Sequence, residues 1–175
     1  MSRRLAPVLI VLAVAGCFLS SCEKEKAKPL FDEDYSNWKK TVAEPLTYEI
    51  PGHGAKQRRI FINDIGTQVK TTEEDGTIRY DYPEGTIIVK ENYSDLEGTS
   101  LANLTIMFKS ASNPDARRGW VWVNKNAATG AETVFTDQFC LGCHAGANES
   151  HPYGDGNPDK EFRDYVFFPY SPSAE

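Results

Sequence analysis

Near its C-terminus the chain runs Cys140-Leu141-Gly142-Cys143-His144, and no other stretch constrains it so tightly. Two thiols separated by two residues, with a histidine directly after them, form the CxxCH pattern of c-type haem attachment. The thiols can bond covalently to the two vinyl groups of one haem, and His144 then lies against the iron as its proximal ligand. The motif commits the fold to presenting these three side chains to a porphyrin. Two other readings compete. A thioredoxin-like dithiol opens a helix early in a βαβ unit, whereas this motif comes late and no βαβ pattern surrounds it. A zinc site from Cys140, Cys143, His144 and His151 would ask the adjacent Cys143 and His144 to share one tetrahedron, without typical finger spacing. Haem attachment is the favoured reading.

The N-terminus supports it independently. Arg3 and Arg4 precede an apolar run from Leu5 to Leu19, the layout of a signal peptide. The run is shorter than the ~20 residues a spanning helix needs. Leu19-Ser20-Ser21-Cys22 reads as a lipobox with Cys22 as the lipidated first mature residue, because charge begins directly after it. Val14-Ala15-Gly16-Cys17 is a rival lipobox with Cys17 in that role, and an ordinary secreted protein is the plainer alternative. The expected organisation is a lipoprotein signal peptide over 1–21, a tether over 22–30 and one haem domain over 31–175. The expected location is the periplasmic side of a bacterial membrane, the outer membrane being favoured, with a lipid anchor as the sole membrane attachment. The chain's formal net charge of −6 argues against nucleic acid as a partner, since phosphate binding needs a cationic surface. It suits docking to a basic redox partner.

No internal repeat or low-complexity tract interrupts the rest. Asp32 to Lys40 is a helix candidate, with Phe31, Tyr35 and Trp38 at helical spacing. Residues 59–63, 85–91, 104–109 and 119–123 read as strands bounded by Gly, Pro, Asn or Asp. Thr133 to His144 is a second helix candidate, the stretch from Asn148 to Lys160 is turn-rich, and Asp164 to Tyr170 is one more strand candidate. The expected fold class is α+β, mainly antiparallel β-sheet, with a C-terminal haem-bearing CxxCH helix or loop. A helical-bundle cytochrome would show repeated 3.6-residue periodicity, which this body lacks. No methionine follows His144, which removes the usual His/Met coordination. That leaves either a bis-His haem or an open sixth position.

In order along the chain stand Gly52-His53, then residues 59–63 (Arg-Ile-Phe-Ile-Asn), then residues 82–91 (Tyr-Pro-Glu-Gly-Thr-Ile-Ile-Val-Lys-Glu). Met107-Phe108-Lys109, Gly119-Trp120-Val121-Trp122, the CxxCH and Asp164-Tyr165-Val166-Phe167 follow. Taken together, this series resembles cytochrome P-460 and the related cytochrome c′-beta proteins from about Trp38 to Phe168. The resemblance implies a mainly β fold, a homodimer, and one covalently attached haem c with five-coordinate iron. It implies either oxidation of hydroxylamine or binding of nitric oxide or carbon monoxide without catalysis, with a cytochrome as redox partner. It also implies that Lys90 bonds covalently to the porphyrin edge. Strand alternation puts Lys90 on one face with Thr86 and Ile88; beside that reading stands a strand-end lysine whose ammonium reaches water. Trp120 and Trp122 share a strand face and belong to the core or the haem crevice. Arg58 and Arg59 are candidates for pairing with haem propionates, and Phe61 and Phe108 for distal caps. Glu91 and Glu132 are candidate proton acceptors, His53 a candidate sixth ligand or proton donor, and His151 a surface loop residue.

Overall fold

The computed structural model describes residues 28–171; the expected signal peptide with Cys17 and Cys22, and most of the tether, lie outside them. The centre is a six-stranded sheet in the order β1-β2-β5-β6-β7-β8, with every pairing antiparallel. Its strands are β1 (Lys39–Lys40), β2 (Gln57–Ile62), β5 (Ile87–Tyr93), β6 (Leu101–Lys109), β7 (Trp120–Asn126) and β8 (Glu132–Phe135). A separate hairpin of β3 (Lys70–Glu74) and β4 (Thr77–Asp81) is inserted between β2 and β5. Among the described residues a single α-helix, α1 (Phe139–His144), follows β8. No helix among the described residues is long and apolar enough to cross a membrane.

The sheet is buried on both faces, so its central strands read as nearly continuous β-branched and aromatic runs. Registry stacks the side chains of one face into rows. Ile62, Ile88, Met107, Trp122 and Phe135 pair across five strands, and beside them Ile60, Lys90, Thr105 and Asn124 pair across four. This face packs against Leu141, Val166 and Tyr170 from the C-terminal third. The opposite face carries Ile87, Val89, Leu104, Ile106, Val121 and Val123, covered by Phe31, Tyr35 and Trp38. At the far end of β2, Asn63 accepts from the amides of Gly66 and Ile87 and donates to the Gly85 carbonyl. It locks a turn in which a Cβ on Gly66 would stand 2.5 Å from Ile62.

Three expected elements differ. The stretch from Asp32 to Lys40 is turns and a two-residue strand rather than a helix. Asp34 accepts from the Ser36 amide, a local side-chain bond that competes with helical pairing. The Leu30 and Phe31 amides donate to Glu132, which holds the segment against the sheet. The aromatic spacing is nonetheless used: Trp38 meets Phe31 and Tyr35 edge-to-face, and those two rings pack tilted on each other. Second, Thr133 to His144 is strand β8, a turn and then a six-residue helix. Third, Asp164 to Tyr170 forms turns rather than a strand, because Asp164 and Tyr165 both have positive φ, 48° and 69°.

Candidate functional site

Between the row from Ile62 to Phe135 and the C-terminal segment lies a cavity of about 480 Å³, within the size range of small-molecule and cofactor sites. Its walls are mostly apolar, with Ile88, Met107, Trp122 and Phe135 from the sheet and Val166, Phe167 and Phe168 from the tail. Helix α1 brings Cys140, Cys143 and His144 to this cavity. The two cysteines are free thiols, Cys140 half-buried and Cys143 exposed, so the motif faces both the apolar interior and the rim. Burial pushes the Cys140 thiol up to about 11, which keeps it protonated and reduced in reactivity until a partner arrives. Among the described residues no three His, Cys, Asp or Glu side chains converge to hold a metal ion.

His144 is prepared for ligation. Its Nδ1 lies 2.8 Å from the Tyr165 carbonyl oxygen, and an oxygen that can only accept makes Nδ1 the protonated nitrogen. Nε2 is left with its lone pair free, the arrangement that metal-bound histidines adopt. The ring packs against Trp122 and Phe167 at centroid separations of 4.7 and 5.4 Å. Burial first, and then the nearby Lys90 ammonium, lower its pKa to about 4, so the imidazole is neutral at neutral pH.

The carbonyl that receives His144 belongs to an unusual turn. The Val166 amide donates to the Arg163 carbonyl at 3.0 Å, and the two residues between, Asp164 and Tyr165, both have positive φ. These are the φ signs of a type I′ turn, which normally draws Gly, Asn or Asp at both positions. Tyrosine there costs on the order of 1–3 kcal/mol, and the surroundings hold it in place. Asn148, just past α1, accepts from the Arg163 amide, and Arg163 is clamped by Asp155 and Glu161.

Lys90 reaches the same cavity from the central strand β5. The residue is partly exposed along its stem while its amine is desolvated in the cavity, with Nζ 3.1 Å from His53 Nε2. Burial, and secondarily the charge of Arg58, lower its pKa to about 7. A lysine in that condition is largely an uncharged nucleophilic amine at slightly alkaline pH. His53 is also neutral, its pKa lowered to about 3 chiefly by burial and then by Lys90. Its ring centre stands 6.4 Å from that of His144. The loop that carries His53 is built on Arg58, which is fully buried and donates to the carbonyls of Tyr48, His53 and Ala55.

The residues present fit a covalently attached haem. Two free thiols, an imidazole in the ligating tautomer, an apolar cavity and a buried Trp122 Nε1 without a hydrogen-bond partner all meet in one place. Of the residues singled out from sequence, Cys140, Cys143, His144, Lys90 and His53 come together here. Others do not, because strand alternation sends them to the opposite face. Arg59 lies over the Tyr93 ring at 5.0 Å; Glu91 accepts from the hydroxyls of Tyr35 and Tyr93; Glu132 holds the N-terminal segment and pairs with Lys125. Phe61 and Phe108 also face that side, packed on Tyr35 and Phe31. Trp120 is fully buried against Tyr82, next to the cavity rather than in its wall. Arg58 is spent on the 48–55 loop. His151 packs on Phe167, behind the cavity wall. Sequence reasoning missed the Tyr165 carbonyl, because a backbone acceptor leaves no side-chain signal. Thr105, another cavity residue, was discoverable from its pairing with Lys90 once the strands were aligned.

A family model described as Cytochrome P460 matches residues 32–168, a span that includes β2, β5–β8, α1 and the 163–166 turn. A comparison with curated proteins finds no match.

Proposed function

The chain belongs to the cytochrome P460 family and is therefore a c-type haem protein, and from that premise we propose that it oxidises hydroxylamine or a similar small nitrogen species. In this reading Cys140 and Cys143 carry one haem c, His144 ligates the iron through Nε2, and Lys90 bonds to the porphyrin edge. The haem would supply an iron site at which the small molecule binds and gives up electrons. Around it, His144 stays fixed by the Tyr165 carbonyl, the apolar walls exclude water, and His53 is the side chain able to exchange a proton. The observation that carries the reading is Lys90: a pKa of about 7, produced by burial in the same cavity as the CxxCH, makes its amine a competent nucleophile there. Export, lipid anchoring through Cys22 or Cys17, a homodimer and electron transfer to a partner cytochrome belong to the same proposal.

A second reading, capture of nitric oxide or carbon monoxide without turnover, draws support from the walls. No carboxylate lines the cavity among the described residues, so a strong proton acceptor for hydroxylamine is missing from it. The optical spectrum of the haem-loaded protein, oxidised and reduced, separates the two, together with the mass of the proteolytic peptide containing Lys90. A ferrous Soret band far to the red, a haem-bearing Lys90 peptide and loss of hydroxylamine oxidation in Lys90→Ala support the first reading. An ordinary high-spin spectrum with an unmodified Lys90 peptide and no turnover transfers the function to gas binding.

A further inference from the structure

We propose that Asp164 and Lys109 act as positioning residues for the proximal ligand, holding the Tyr165 carbonyl on His144 Nδ1 and so setting the electron richness of the iron. The inference rests on the haem reading above.

The carbonyl's position is not one the local sequence selects. Two successive positive-φ residues without glycine, Asp164 at 48° and Tyr165 at 69°, make a turn that relaxes unless it is held from both sides. Asp164 tolerates the left-handed region, whereas for the bulky Tyr165 it is disfavoured. One side is held by Asn148 Oδ1, which accepts from the Arg163 amide at 2.8 Å. The other is held by Lys109, the last residue of β6, whose Nζ lies 2.5 Å from Asp164 Oδ2. Both side chains are buried, 14% and 8% exposed, so the pair is shielded from the water that weakens surface ion pairs. The Lys109 ammonium also sits 5.0 Å from the centre of the Trp120 ring, whose residue is fully buried in the sheet core. The chain of contacts is short: sheet core, Lys109, Asp164, the Tyr165 carbonyl, His144. A hydrogen bond at Nδ1 raises the basicity of Nε2, and a more basic axial ligand favours ferric over ferrous iron. Loosening Asp164 therefore weakens that bond and makes the iron easier to reduce.

The test uses the haem-loaded protein with Lys109→Met and Asp164→Asn. The asparagine keeps the shape and the left-handed tolerance of Asp164 while deleting its charge. Expected are a more positive reduction potential and a lower Fe–His stretching frequency in the ferrous resonance Raman spectrum of both variants. The double variant should shift no further than either single one, and Lys109→Arg should stay near wild type. Potential and stretching frequency unchanged in both haem-loaded single variants overturn the inference. Wild-type protein that carries no covalent haem overturns the haem reading instead, a separate and visible failure. Should neither variant load haem, the imidazole ¹⁵N shifts of His144 in haem-free protein decide. A move from the Nδ1-protonated tautomer to a mixture in Asp164→Asn supports the inference, and an unchanged tautomer overturns it.

Discussion

Replacing Arg58 by Met should destabilise the protein to the same degree whether or not haem is attached. The guanidinium is fully buried and donates three hydrogen bonds, at 2.7, 3.0 and 2.7 Å, to the carbonyls of Tyr48, His53 and Ala55. A fully buried acceptor left without a donor costs about 1–3 kcal/mol; these three are only part-buried, so roughly 9 kcal/mol is an upper bound. Two effects lower that figure. Burial depresses the Arg58 pKa, a sign that the charge is itself costly to bury, and Met refills much of the space. Water also reaches the 48–55 loop once the clamp is gone. The expected net loss is about 2–4 kcal/mol, or roughly 6–12 °C in midpoint for a domain of this size. The assay is denaturant unfolding of Arg58→Met in two backgrounds, the haem-loaded chain and the haem-free Cys140→Ala/Cys143→Ala chain, with amide exchange over 48–55 as a local readout. A loss below about 0.5 kcal/mol in the haem-free background, within the range of an ordinary surface substitution, would falsify the clamp. A loss confined to the haem-loaded form would restore Arg58 as a propionate partner.

Two further outcomes follow from the same physics. Asn63→Ala removes an acceptor from two amides and a donor from the Gly85 carbonyl. It should cost about 2–3 kcal/mol in unfolding free energy, and a cost under half that value rules out the three-bond role. Lys90 gives a pH signature in the haem-free protein. Its folded pKa of about 7 lies below the ordinary lysine value of 10.5, so the unfolded chain binds more protons between those values. Stability must then rise as pH increases through that interval. Lys90→Met should flatten the rise, and equal slopes in wild type and variant contradict the buried amine.

Much of the site was legible because its chemistry sits on side chains at fixed spacing. The CxxCH names its own three residues; period-two alternation put Lys90 on one face with Ile88, and the family resemblance, not the alternation, assigned that face to the haem. The same alternation, carried across the register, sends Arg59, Glu91 and Glu132 to the other face. For Glu91, next to Lys90 on β5, alternation alone suffices, whereas for Arg59 and Glu132 the step needs the strand partners, which the sequence alone does not supply. The hairpin of β3 and β4 escaped notice because all five residues of β3 are exposed, leaving no hydrophobic period to read. Its one signal was Asp75-Gly76, at φ 50° and 75°, the dipeptide of a two-residue hairpin turn. The helix expected over 32–40 failed for a different reason. Aromatic residues three and four apart satisfy a sheet face as well as a helix stripe when Glu132 pins the backbone beside them.

The elements of the site arrive in an order that bears on how the protein matures. The floor is complete by residue 135, the attachment motif follows at 140–144, and the turn whose carbonyl accepts from His144 comes only at 163–166. A chain whose 163–168 segment has not docked presents the floor and the thiols with the cavity open on that side. Entry of a cofactor from that side would leave the sheet pairing intact, because Val166, Phe167 and Phe168 form the opposite wall. Loss of the tail would leave an attached pigment with its axial imidazole facing water, coloured but mistuned.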